Sequence, residues 1–251
     1  MDRDFNPLPP TLLSVVDAVQ TRRSIRAFTG KPVPRSTVEF ILEVASRAPG
    51  GSNIQPWRVY AVAGTPLETL SAELRAAHKD PSMGEANEEY RYCPAEWFEP
   101  YLSRRRKLGW SLYGLLGIRN GDKTAMSRQN ARNYDFFGAP VGIFFTLDRK
   151  LEVGSWLDLG MFMENIMVVA RGLGLDICPQ VAFTKYHHVV RRGLTIPDTE
   201  ILVSGMALSY ADLQAPENNL RTARPSPRFH QFSWFLKACL LTPIGVRGII
   251  T

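Results

Sequence analysis

The chain has 251 residues, 45% hydrophobic and 22% charged, which suits one sizeable domain, residues 1–251, with enough apolar material for a real core. Its net charge of +6 favours a negatively charged partner: nucleic acid, a membrane surface, an anionic cofactor or an anionic substrate. Cys93, Cys178 and Cys239 are odd in number and widely spread, which excludes a disulfide framework or a metal-ligand pattern and fits a reducing compartment.

In chain order, Leu12, Val15, Val16 and Val19 recur at helical spacing and predict a short amphipathic helix ending just before Arg22. Ser36 and Glu39 have capping-box spacing, and Val38, Ile41, Leu42 and Ala45 supply an apolar face, so a second helix is expected to run to Pro49-Gly50-Gly51. Trp57 to Ala63 reads as a strand, and Leu67, Leu70 and Leu74 as the next helix. Residues 78–133 are rich in charge, glycine and aromatics. They are expected to form a mobile helical excursion covering a site. Val141 to Leu147 has the composition of a buried strand. Ser155 to Leu173 is the most apolar helix, with Leu159, Phe162, Met163, Ile166, Met167 and Ala170 on more than one face, so burial on several sides is expected, in the centre or at a subunit interface. A turn at Cys178-Pro179-Gln180, a short helix at His187–Arg192 and a strand at Ile201–Leu208 follow. The order of elements is that of an α+β domain around one sheet.

Two segments carry chemistry. Thr21-Arg22-Arg23-Ser24-Ile25-Arg26 places three guanidinium forks and a hydroxyl together, a donor set for a phosphate-bearing group held by charge-assisted hydrogen bonds. Pro49-Gly50-Gly51-Ser52-Asn53-Ile54-Gln55-Pro56-Trp57 combines glycines that let a ligand approach the backbone with polar side chains for a heterocycle. Other features carry less. His187-His188 has no acid or cysteine at ligand spacing and reads as exposed helix, so no metal is expected. Cys178 lacks a basic neighbour in sequence and reads as packing. Arg104-Arg105-Arg106-Lys107 follows Glu96 and Glu99 and comes with no nucleic-acid-binding motif. The acidic N-terminus lacks the apolar stretch of a secretory signal, and Lys237, Pro243 and Arg247 interrupt the apolar tail. A cytoplasmic protein with no nucleic-acid and no membrane partner is expected.

With these two segments, Phe136-Phe137-Gly138-Ala139-Pro140, Leu173 to Gln180, and Ile196-Pro197-Asp198, the chain resembles the FMN-dependent nitroreductase family over most of residues 12–225, in its nitrobenzoate and nitroaromatic branch. The resemblance implies a nitroreductase-like fold, a mostly antiparallel sheet flanked by helices in an intertwined homodimer with two FMN sites at the interface. Arg22, Arg23, Ser24 and Arg26 would hold phosphate, ribityl chain and pyrimidine edge. Pro49, Gly50, Gly51, Ser52 and Asn53, with Gln55, would reach the flavin of the partner. Pro179, Gln180, Val181 and Ala182 would flank the isoalloxazine, with a backbone N–H directed at N5. Arg224, aided by Arg221, would close on the phosphate, and Gln129 or Arg128 would touch the pyrimidine edge. No catalytic side chain is required, because the flavin carries the redox chemistry.

The implied activity is transfer of electrons from NADH or NADPH, by a ping-pong order, to small nitroaromatic acceptors, with quinones as a further class. Within the same fold the alternative is a flavin-dependent reductive dehalogenase or another aromatic-acid reductase. Outside it, the same arginines would suit a non-enzymatic anion- or nucleic-acid-binding protein. The tail, residues 234–251, matches no motif; its apolar residues are expected to wrap a partner subunit.

Overall fold

A computed structural model describes residues 12–80 and 88–224. Two compact units are present, one ending at Leu220 and one beginning at Arg221; the tail at 234–251 lies outside the described residues.

Four strands make the sheet: β1 (Arg58–Ala63), β2 (Val141–Asp148), β3 (Asp176–Gln180) and β4 (Glu200–Ser209). Their order is β1-β2-β4-β3, and every pairing is antiparallel, in agreement with the expected α+β class. Chain order differs from sheet order because β3 crosses to the far edge of β4. Cys178-Pro179-Gln180, expected as a turn, is the end of that edge strand, with Gln180 opposite Gly205. A proline in a strand signals an edge, and the short run after Gly174 hid the strand.

Helices cover both faces. On one lie α3 (Thr65–Lys79) and α7 (His187–Leu194), whose Leu67, Leu70, Leu74, Val189 and Val190 pack with Phe136, Phe144 and Phe183. On the other lie α2 (Arg35–Ala45) and α6 (Val153–Gly172), where Ile41, Ala45, Leu159, Phe162 and Ile166 meet Ile143, Phe145 and Leu147. Side chains of β2 alternate between these cores, which explains its unbroken apolar sequence.

The second helix begins one residue before Ser36, with Pro34 as its cap, so Ser36 is not a capping residue; Glu39 instead pairs with Arg35. It also ends at Ala45, before Pro49, with Ser46 as its C-cap and the Ser46 hydroxyl donating to the Glu43 carbonyl. Two helices, α4 (Tyr101–Leu115) and α5 (Lys123–Ala131), occupy the charge-rich middle region.

The helix α1 (Val15–Thr21) forms where expected, but only Ala18 is buried; Val15 is 73% exposed. It packs against α6, whose burial is also one-sided. Leu159, Phe162, Ile166 and Ala170 face the core, while Val153, Leu157 and Met161 are exposed, Leu157 at 70%. Within one chain, then, α6 is not covered on several sides. By length and composition α6 is apolar enough to cross a membrane, yet its inward face is committed to the sheet.

Candidate functional site

The arginine segment leaves α1 and runs beside β3. Ser24 pairs in parallel with Ile177, and the Ile25 N–H donates to the Ile177 carbonyl at 3.0 Å. Buried Ile25, Ala27 and Phe28 root the segment in the core, which leaves the half-buried Arg22, Arg23, Ser24 and Arg26 between them near the surface. Arg22 Nε is buried without a hydrogen-bond partner, and Glu164 lies 3.6 Å away as its counter-charge. Arg23 donates to the Asn218 carbonyl at 2.6 Å, and Arg26 to the Ser24 carbonyl at 3.3 Å. A guanidinium has five donors, so one backbone acceptor leaves most of each fork for an anion.

Asn218, in the short helical turn Pro216–Asn219, organises this edge. Its side-chain oxygen accepts the Arg26 N–H, and its amide nitrogen donates to the carbonyls of Ala27 and Asp212. Neighbouring Glu217 is buried and paired with Arg132. The turn Arg132–Gly138 continues the wall: Asn133 accepts from the Gln180 amide nitrogen through its backbone oxygen at 2.8 Å. Gln180 is 3% exposed, so its side chain faces the interior, and any contact with a ligand at this point falls to the backbone of Pro179, Val181 and Ala182. Gln129 is buried on α5, one turn before Arg132, while Arg128 is exposed.

Residues from three separate stretches, 22–26, 179–182 and 217–218, therefore meet along one sheet edge. The loop at 49–55 is held elsewhere. Buried Asp158 accepts the Gly51 N–H at 3.1 Å, and a Cβ on Gly50 would come within 3.3 Å of the same carboxylate. Ser52, Asn53 and Gln55 adopt positive φ and are exposed. Asp158 and Glu164 are about 9 Å apart along α6 and differ by roughly 120° around it, given ~1.5 Å and ~100° per residue. Loop and arginines therefore attach to different faces of that helix. Arg224 and Arg221 belong to the second unit, where Arg224 donates to the Thr222 hydroxyl.

The minor candidates are structural. Cys178 is buried, and the loss of solvent pushes its thiol up to about 11 in spite of the opposing Arg26, so it is protonated at neutral pH. His187 and His188 are half-buried rather than exposed, because α7 lies against the sheet; His187 sits 3.9 Å from Glu89. Among the described residues no cluster of His, Cys, Asp or Glu could hold a metal ion.

Asn218, Asn133, Asp158 and Glu164 were not singled out in the sequence. Two acids inside the most apolar helix were a usable signal for Asp158 and Glu164. Nothing local marks Asn218 or Asn133, whose partners lie far away along the chain.

The sequence profile described as "Nitroreductase family" matches residues 19–210. The chain belongs to the nitroreductase family. Within it, the 4-nitrobenzoate reductase of Pseudomonas putida is 40% identical over 206 residues, 82% of this chain and 89% of that protein. The nitrobenzene nitroreductase of Ectopseudomonas oleovorans is 38% identical over 215 residues, 86% and 94% of the two chains. Among solved structures, the FMN and NADPH-dependent nitroreductase NfnB from Sphigopyxis sp. strain HMH superposes with a TM-score of 0.82 at 35% identity, covering 88% of this chain and all of that one. NfnB from Mycobacterium smegmatis, in complex with NADPH, gives 0.81 at 28% identity, covering 86% and 97%. This nitroreductase thus shares its fold with FMN- and NADPH-dependent relatives.

Proposed function

We propose that this chain is an FMN-dependent oxidoreductase that passes electrons from NADH or NADPH to nitroaromatic compounds, with quinones as a second class of acceptor. The observation that carries the reading is the arginine segment laid against β3, which puts Arg22, whose buried Nε has Glu164 as counter-charge but no hydrogen bond, on the same edge as the 179–182 backbone. A phosphate answers the first and a flat ring the second, so the donor set fits FMN.

When bound, FMN accepts hydride from the nicotinamide and delivers electrons to the acceptor. The chain's own residues bind and orient. Arg22, Arg23, Ser24 and Arg26 hold the phosphate and the electron-rich edge of the ring, with Gln129 or Arg128 toward the pyrimidine. The Val181–Ala182 backbone faces the reactive edge. Donor and acceptor use one space in turn, which gives the ping-pong order and needs no dinucleotide-binding domain.

The working unit is a homodimer. Exposed apolar sides of α1 and α6 supply a surface suited to a second copy. Attachment of the 49–55 loop to a different face of α6 from Arg22 supports delivery of Pro49, Gly50, Gly51, Ser52, Asn53 and Gln55 to the partner's flavin. Residues 88–133 cover the site, and the enzyme works in the cytoplasm.

Anaerobic mixing tests the reading. The flavin absorbance of the purified protein is expected to bleach with NADH or NADPH and to return on adding nitroaromatics or quinones. A protein that takes up no flavin rejects it; one reoxidised only by haloaromatics moves it to dehalogenation.

A further inference from the structure

The turn Arg132–Gly138 contains two consecutive non-glycine residues in the left-handed region, Phe136 at φ 49° and Phe137 at φ 55°. Such a backbone persists only where surrounding contacts over-determine it. Here they come from every wall of the site. The Phe137 carbonyl accepts the Phe28 N–H at 3.1 Å, just beyond the arginine segment. Arg132 pairs with Glu217, next to Asn218. Asn133 receives the Gln180 amide at the end of β3, and Phe136 stacks on Phe183 with ring centroids 4.8 Å apart.

The Asn133–Gln180 contact is the unusual one. Gln180 Nε2 lies between the Asn133 backbone oxygen at 2.8 Å and its side-chain oxygen at 3.3 Å, which fixes the orientation of the amide. The amide oxygen is then buried with no hydrogen-bond partner. For stability alone an apolar side chain of the same length would serve better, since it would leave no acceptor unmatched. A polar group retained against that cost points to a requirement for direction rather than burial. What it directs is the chain that follows. Val181 is secured by its carbonyl to the Thr184 hydroxyl at 2.9 Å, and Phe183 is fully buried over Gly205, the strand partner of Gln180.

We propose that Asn133 and Gln180 are positioning residues, whose pair sets the orientation of the Val181–Ala182 backbone toward the flavin ring. The inference rests on the FMN reading above. Gln180 itself acts from behind the ring rather than on it.

The test uses the full-length protein reconstituted with FMN. Gln180→Met removes the anchor at similar volume. It is expected to keep FMN bound, slow flavin reduction by the nicotinamide at least ~10-fold at saturation with little change in KM, and move the flavin midpoint potential to more negative values. Asn133→Ala keeps the backbone acceptor and removes only the weaker one, so an intermediate slowing of about threefold is expected. A lower Tm with wild-type potential and wild-type reduction rate means that the pair serves only the fold, and overturns the proposal. If Gln180→Met yields no folded protein, Asn133→Ala decides alone: a wild-type rate and potential overturn the proposal. A wild-type protein that binds no FMN fails differently, because it removes the functional reading before either variant is compared.

Discussion

Asn218 clamps the Arg26–Ala27 backbone: its side-chain oxygen accepts the Arg26 backbone N–H at 2.9 Å, while its amide nitrogen donates to the Ala27 carbonyl at 2.8 Å. One buried amide thus satisfies donor and acceptor of adjacent residues, as a neighbouring strand would. The segment keeps an extended path without belonging to the sheet at that point.

Asn218→Ala strips those partners in one step. The Ala27 and Asp212 carbonyls keep the N–H groups of Asp212 and Ala215, so the Arg26 N–H is the group left unmatched, at a cost of about 1–3 kcal/mol where water cannot replace the lost partner. A loss of that size is expected, read as a reduced urea midpoint, together with at least ~10-fold weaker FMN binding by fluorescence titration. An unchanged flavin affinity alongside lowered stability would detach Asn218 from the site.

Arg22→Ala separates charge from scaffold. The side chain contributes no hydrogen bond through Nε to the fold, and Glu164 is half-exposed, so stability should change by less than about 1 kcal/mol. FMN affinity should fall at least ~10-fold, and added salt should weaken wild-type binding more than that of the variant. Equal affinities in the two proteins, by the same titration, would remove Arg22 from the phosphate site.

Local pattern carried the helices and the central strands because their apolar spacing is a one-dimensional signal. Val141–Leu147 needed only its run of buried residues, and Leu67, Leu70 and Leu74 only their period. The failures have a common physical cause. Edge strand β3 is five residues long and contains a proline, so neither period nor propensity marks it. Ser36 had the right spacing from Glu39, but a proline one position before the helix set the start instead. The arginine cluster was visible as composition, whereas its supports, Asn218 and Asn133, act across long sequence separations. Pairing of that kind is decided by the packed sheet and leaves no local trace.

Stability should depend on pH through His187. Burial is the main cause holding its imidazole below the usual histidine range; Glu89 opposes it, while His188, Arg191 and Arg149 add to the depression. A base whose folded pKa lies below its unfolded value favours folding fully above the unfolded value, near 6.5, and loses that contribution as pH falls toward the folded pKa. Tm should therefore decline on going from pH 8 to pH 5.5, and His187→Gln should flatten the decline. Glu200 acts in a lower window. Burial pushes its carboxyl up, but hydrogen bonds from Thr146, Arg58 and Tyr60 outweigh it and hold the group below the ordinary 4.5. Its contribution is present above that value and lost beneath it, so Glu200→Gln should lower Tm at neutral pH and flatten the fall on the acid limb. Identical profiles for His187→Gln and wild type between pH 5.5 and 8 would refute the assignment.

The sharing of each site between two subunits gives a stricter prediction. In this reading Arg22 serves the flavin of its own subunit, and Asn53 that of its partner, because Asp158 fixes the loop on a different face of α6 from Glu164 and Arg22. Homodimers of Arg22→Ala or of Asn53→Ala should each have two defective sites. Mixing the two variants under conditions that exchange subunits should change this. In a hybrid, one site collects both substitutions and the other collects neither, so it is native. Random exchange of equal amounts makes half of the dimers hybrid, and tight FMN binding should reappear at about one site in four, with activity in proportion. Sites built within a single chain would each carry one substitution in every dimer, and mixing would restore nothing. Flavin stoichiometry after mixing distinguishes the two arrangements, and a mixture no better than its parents would exclude the shared site even in a protein that is dimeric by light scattering.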